Sequence, residues 1–185
     1  MQDYRINTNY AKALFLLADE THEQDRVAED MRLVSSVCTE NRQLNVVFAN
    51  PNMRIDKKAA IVTDLFGEHV CAATMAFLVF VVKKSRSVNM RGICTAYLEL
   101  YRESRGIVLS TLVTAEPADE ATKALASKVI ADYTHKQVEL IDKSDPAILG
   151  GLSMEFDNNM YDARISTRLG KLRRAFEENA YESKL

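Results

Sequence analysis

The sequence predicts a mainly α protein: an N-terminal six-helix bundle over residues 1–105, then a small α+β domain over residues 106–185. Three observations carry that reading. Glycine and proline are few, 6 and 3 in 185 residues, and tryptophan is absent, which argues against a loop-rich or all-β chain. Up to about residue 104 the apolar residues recur at helical spacing. At Gly106 the composition turns to β-branched residues, in the stretch GIVLSTLVTAEP.

The elements follow in order. A first helix is predicted over about 4–20 and a second over about 23–40, with Val27, Met31, Val34 and Cys38 on one stripe. QLNVVFANP reads as a short third helix stopped by Pro51, because the residue before a proline is pushed out of the α region. DKKAAIVTDLFG is the fourth, with Asp56 expected to cap its start and Gly67 its end. The fifth covers about 69–84. The sixth, SVNMRGICTAYLELYRES, is expected to turn Val88, Ile93, Tyr97, Leu100 and Tyr101 toward a core, with Gly92 as a weak helix former inside it. Then come a strand ending at Pro117, a helix with Leu125, Val129 and Tyr133 on one side, and a second strand in QVELIDK. GGLSMEF alternates Leu152, Met154 and Phe156 with Ser153 and Glu155, as a half-buried strand does. The last helix places Ile165, Leu169, Leu172 and Phe176 on one stripe.

Composition bounds what such a chain does. Apolar residues make up 47 %, enough for packed cores and too many for disorder. A formal charge of −2 is no electrostatic footprint for nucleic acid. Cys38, Cys71 and Cys94 are far apart, form no CxxC pair and sit among apolar residues, so buried thiols in a reducing compartment are expected. The N-terminus reads as neither signal nor transit peptide. The longest apolar stretch, residues 70–82, falls short of the roughly 20 residues that span a bilayer, so the chain is expected to be soluble.

No catalytic, cofactor-binding or metal-ligating set is predicted. Gly150-Gly151 enters a strand, whereas phosphate-binding glycines open a helix; the pair reads as a turn needing positive φ or close approach. Asp162, just before the last helix, reads as its N-cap. His22, His69 and His135 are isolated. The stronger signal is excess apolar surface in NYAKALFLLA and CAATMAFLVFVV. Two such helices in a small bundle suggest either a central helix or a groove for a partner's amphipathic helix. The basic residues in RLGKLRRAFEE, and Lys83, Lys84 and Arg86, leave a helical RNA-binding adaptor as the alternative.

Four stretches together resemble the delta subunit of F-type ATP synthases, the counterpart of the mitochondrial oligomycin-sensitivity-conferring protein. YAKALFLLA is similar to the family's opening. ANPNMRIDKKAAIVTDLFG is similar to its fourth-helix motif, with Pro51, Lys58, Ile61 and Phe66 in place. RGIVLSTLVTAEP resembles the strand that opens the second domain. DPAILGGLSMEFDNNMYDARISTRLGKL resembles the most specific signature, matched at Asp145, Gly150, Gly151, Asp162 and Leu169. Leu149 stands where isoleucine is usual, Arg164 where serine is common, and Asp157-Asn158-Asn159 where a Gly-Asp turn often follows.

The resemblance implies a non-catalytic peripheral-stalk subunit on the cytoplasmic face of a bacterial inner membrane. Residues 1–105 would bind the N-terminal helix of an alpha subunit, and residues 106–185 the C-terminal end of the b-subunit stalk. Neither nucleic acid nor direct membrane insertion is implied. The first and fifth helices would form the groove for the alpha helix, with Tyr10, Leu14, Phe77 and Val81 as its expected contact residues.

Overall fold

The structure, a computed structural model, describes residues 2–148, 150–157 and 159–178. Leu149 and Asn158 of the terminal signature lie outside the described residues. The chain divides into two compact units, Met1–Ser104 and Arg105–Leu185. It is mainly helical, with one four-stranded sheet.

The first unit is built from α1 (Gln2–Glu20), α2 (Gln24–Glu40), α3 (Arg42–Ala49), α4 (Ile55–Phe66), α5 (Ala72–Lys83) and α6 (Met90–Arg105). One continuous core draws on all six, with Leu14, Met31, Phe48, Phe66, Leu78 and Tyr97 among its largest members. The α2 stripe of Val27, Met31, Val34 and Cys38 is buried throughout. α3 ends before Pro51, and Asn50 is already extended, as a residue preceding proline prefers.

Two buried charges tie helix ends together across long sequence separations. The Asp30 carboxylate on α2 accepts the Cys71 N–H at 2.9 Å, at the N-terminus of α5. The Lys58 ammonium on α4 donates to the Phe48 carbonyl at 2.8 Å, and the Ser87 hydroxyl donates to the same oxygen at 2.9 Å, near the end of α3. An anion at one helix start and a cation at another helix end both complement the macrodipole and satisfy terminal backbone groups. Lys58 therefore has a structural role in this chain.

Several local expectations are corrected. Asp56 does not cap α4. The N-cap position belongs to Arg54, and Asp56 sits in the first turn, 3.4 Å from the Arg54 guanidinium. Gly67 does end α4, but in right-handed conformation, and a Cβ there would meet the Thr63 carbonyl at 2.5 Å. Val88 is exposed. It lies in a 3-10 turn, Ser87–Asn89, one step before α6, so the inward stripe starts at Met90 and continues through Ile93, Cys94 and Tyr97. Gly92 is a contact site: a Cβ there would run into the Asn7 amide, which also accepts a hydrogen bond from Asn89 at 3.0 Å.

The second unit contains β1 (Ile107–Thr114), α7 (Glu120–Thr134), β2 (Gln137–Ser144), β3 (Leu152–Phe156), β4 (Asn159–Asp162) and α8 (Ile165–Glu178). The sheet order is β2-β1-β3-β4. β2 is parallel to β1 through the α7 crossover, β3 is antiparallel to β1, and β4 is antiparallel to β3. β4 was not anticipated: its four residues are all exposed and show no alternation. The small core joins Val108 and Leu112 of β1, Ala126 and Ile130 of α7, and Met154 and Phe156 of β3. Leu125 and Val129 turn away from it and are exposed, because Ala126 and Ile130 bring α7 close to the sheet, while the largely exposed Tyr133 still meets Phe156 edge-on, ring centroids 5.8 Å apart.

Ser110, on β1, is fully buried and its hydroxyl has no hydrogen-bond partner. A buried hydroxyl without a partner is destabilising. Ser110→Ala is expected to stabilise the second unit by about 1 kcal/mol, measured as a shift in its urea midpoint.

Candidate functional site

Each unit leaves apolar helical surface uncovered. In the first unit that surface lies along α1 and α5. The two helices meet where the Tyr10 and Phe80 rings pack at a tilt, centroids 6.2 Å apart. Tyr10 is half-buried and Phe80 is 46 % exposed. Leu17, two turns beyond Tyr10 on the same side of α1, is 42 % exposed. Ala13 and Ala76 are exposed at the helical positions between them, so the seam is flanked by large side chains and lined by small ones.

The other expected contact residues lie elsewhere. Leu14, Phe77 and Val81 are 1 %, 8 % and 0 % exposed and belong to the core. The error is one of phase. Both helices are apolar over more than half their circumference, so the sequence marks an apolar helix without marking its outer side. α5 is not apolar-buried all round: Ala72, Ala76, Phe80 and Lys83 form its wet face.

In the second unit α7 leaves Leu125, Val129 and Tyr133 exposed, and the longer apolar stripe is on α8. Ile165, Leu169, Leu172 and Phe176 are all exposed, at alternating steps of four, three and four residues. That is the a/d spacing of a coiled-coil seam, with Arg168 and Arg173 at the flanking positions.

The signature residues build the foundation of α8. Gly150 and Gly151 have φ of 139° and 80°. A Cβ on Gly151 would meet the Ala163 carbonyl at 2.5 Å, and one on Gly150 would meet the Ile165 side chain at 3.0 Å. The Ile165 N–H donates to the Gly150 carbonyl at 3.0 Å, and the Ala163 N–H to the Leu152 carbonyl at 2.9 Å. The glycine pair thus lets the entry to β3 pass directly against the start of α8.

Asp162 ends β4, two residues before the N-cap position, so it is not the N-cap. Its carboxylate accepts the Arg164 N–H at 3.0 Å, the Arg164 side chain at 2.9 and 2.7 Å, and the Thr167 hydroxyl at 2.9 Å. Arg164 closes this arrangement with a two-point ion pair. The hydrogen bonds from Arg164, then that from Thr167, hold the Asp162 carboxyl well below the usual carboxylate range. A depressed folded-state pKa stabilises above the ordinary range and is lost as pH falls. Asp162→Asn is therefore expected to weaken the second unit at neutral pH, and the gap to the parent protein should close on acidification, as followed by thermal melts across pH.

All three cysteines are buried, and burial raises the Cys94 and Cys38 thiols above their usual range, which disfavours the nucleophilic thiolate. His22 and His135 hold left-handed turn positions, His135 as the C-cap of α7. Among the described residues no group of His, Cys, Asp and Glu side chains assembles that could hold a metal ion, and no helix is long and apolar enough to cross a membrane.

A sequence profile of the ATP synthase delta (OSCP) subunit family matches residues 6–176. The chain belongs to that family. The ATP synthase subunit delta of Cytophaga hutchinsonii is 36 % identical over 178 residues, covering 96 % of this chain and 97 % of that one. That of Salinibacter ruber is 31 % identical over 172 residues, covering 93 % and 90 %. In fold, the chain is similar to one in the cryo-EM structure of the Toxoplasma gondii mitochondrial ATP synthase hexamer, with a TM-score of 0.74 at 18 % identity over 92 % of this chain and 97 % of that one. As a delta/OSCP family member, the chain is a subunit of the membrane-associated ATP synthase, and by its family name not the catalytic one. The comparisons lend the RNA-binding alternative no support.

Proposed function

We propose that this delta-family subunit is the stator connector of an F-type ATP synthase, with no catalysis of its own. The six helices of the first unit act as a bundle that seats the N-terminal helix of the alpha subunit along α1 and α5. The second unit seats the C-terminal end of the b-subunit stalk on α8. The complex places it at the cytoplasmic face of a bacterial inner membrane, held there by its partners. By holding the catalytic head against the rotor, it turns proton flow into torque on the nucleotide sites.

The observation that carries the reading is the uncovered apolar surface on α1 and α5 and on α8. A seam flanked by Tyr10, Leu17 and Phe80, lined by alanines and backed by the buried Leu14, Phe77 and Val81, suits the knobs of an amphipathic helix. Burying large side chains contributes about 1.5–3 kcal/mol each, enough for a few anchors to resist sustained torque.

The test is calorimetric titration of the full chain with an N-terminal peptide of the cognate alpha subunit. One-to-one binding with a negative heat-capacity change is expected. Phe80→Glu should abolish it while leaving the helical circular dichroism unchanged. Binding untouched by that substitution would place the alpha contact elsewhere.

A further inference from the structure

We propose that the α1/α5 seam is electrically polarised and accepts its partner helix in one direction, with the acidic half of that helix against Lys83, Lys84 and Arg86. This rests on the reading that the seam seats an amphipathic helix.

The two helices run antiparallel, as two contacts made by α1 and a third made through α2 show. Tyr10 of α1 meets Phe80, near the end of α5. Asn7 bonds to Asn89, just past that end. At the opposite end, Asp30, early in α2 and soon after α1 stops, bonds to Cys71 at the start of α5. The last turn of α5 therefore lies beside the first half of α1, and the last turn of α1 lies toward the start of α5.

The two ends carry opposite charge. Lys83, Lys84 and Arg86 are all exposed at the close of α5. Asp19 and Glu20 are exposed at the close of α1. The dipole of α5 favours this distribution, but Asp19 and Glu20 close α1, where that helix's own dipole disfavours anions.

The basic end is also fixed in place. Ser85 adopts φ of 57° between Lys84 and Arg86. Its N–H donates to the Val82 carbonyl at 2.9 Å, and the Arg86 N–H to the Val81 carbonyl at 3.1 Å. These are the two hydrogen bonds of a Schellman cap, here with serine where glycine is usual. The Lys84 ammonium lies 5.5 Å from the Phe80 ring centroid, so cation and aromatic anchor form one surface. Such a surface takes an apolar side chain followed by a carboxylate. Apolar contacts along the seam give affinity in either direction; the charges choose between the directions.

The experiment uses the full chain and the alpha N-terminal peptide, with a spin label on the acidic half of the peptide. The label is expected to broaden amide resonances around Lys83 and Lys84 and to spare those around Asp19 and Glu20. The Lys83→Glu, Lys84→Glu double variant should bind roughly tenfold more weakly at low salt, with the difference largely gone near 0.5 M salt, and a peptide with its acidic residues changed to lysine should recover the loss. Broadening at Asp19 and Glu20 instead, or binding that depends on Phe80 but not on these lysines, would overturn the polarity and leave the seam standing. No binding by the parent protein would overturn both.

Discussion

Leu14→Ala is expected to destabilise the first unit by about 2–5 kcal/mol, while Leu17→Ala, three residues further on, should cost less than about 0.5 kcal/mol. The two leucines differ only in helical phase. Leu14 is 1 % exposed and packs in the core; Leu17 is 42 % exposed on the α1/α5 seam. Truncating Leu14 removes buried methyl groups and leaves a cavity that the surrounding helices fill only in part. Truncating Leu17 removes contacts with solvent. The effects on alpha-peptide binding should reverse. Leu17→Ala should weaken binding in a protein that remains folded, whereas Leu14→Ala should weaken it only to the extent that the bundle loosens. Urea unfolding followed by helical circular dichroism reads the stability, and titration of the same samples reads the binding. Equal stability losses for both would mean that the seam is part of the core.

The Leu169→Glu, Leu172→Glu double variant should weaken binding to a C-terminal b-subunit fragment by roughly 100-fold or more, the scale of losing central interface anchors. Both residues are exposed, at the centre of the α8 stripe, so the fold of the second unit should be unaffected. Alpha-peptide binding should not change, because that face belongs to the other unit. The contrast with Gly151→Val is informative. That substitution would drive a side chain into the Ala163 carbonyl at a backbone φ of 80°, and should disturb the second unit as well as stalk binding. A drop in stability for the glutamate variant would show that α8 packs on its own unit.

Much of this was readable from the sequence, for physical reasons that differ by element. α2 was legible because Val27, Met31, Val34 and Cys38 repeat at helical spacing between polar residues, so pattern fixes both type and inward face. The glycine pair before β3 was legible as a backbone feature because only glycine adopts φ of 139° and 80° without strain. β4 was not legible, since four exposed residues have no buried face to impose a period on them. The inward sides of α1, α5 and α7 were not legible either. In α7 two small or medium residues, Ala126 and Ile130, take the core and leave Leu125 and Val129 outside, the reverse of what size suggests. In α1 and α5 apolar residues serve both the core and the outer face, so spacing leaves the inward side open and only the packing fixes it. The long-range caps by Asp30 and Lys58 have no local signal at all, because each satisfies a helix end that other residues create.

The stoichiometry of a mixture of the full chain, a cognate alpha N-terminal peptide and a C-terminal b-subunit fragment tests the connector role most directly. Native mass spectrometry or sedimentation should find one copy of each in a single complex, with Phe80→Glu removing only the peptide and the Leu169→Glu, Leu172→Glu variant removing only the fragment. Binding of the two partners that is mutually exclusive, or binding of neither by the folded chain, would contradict it.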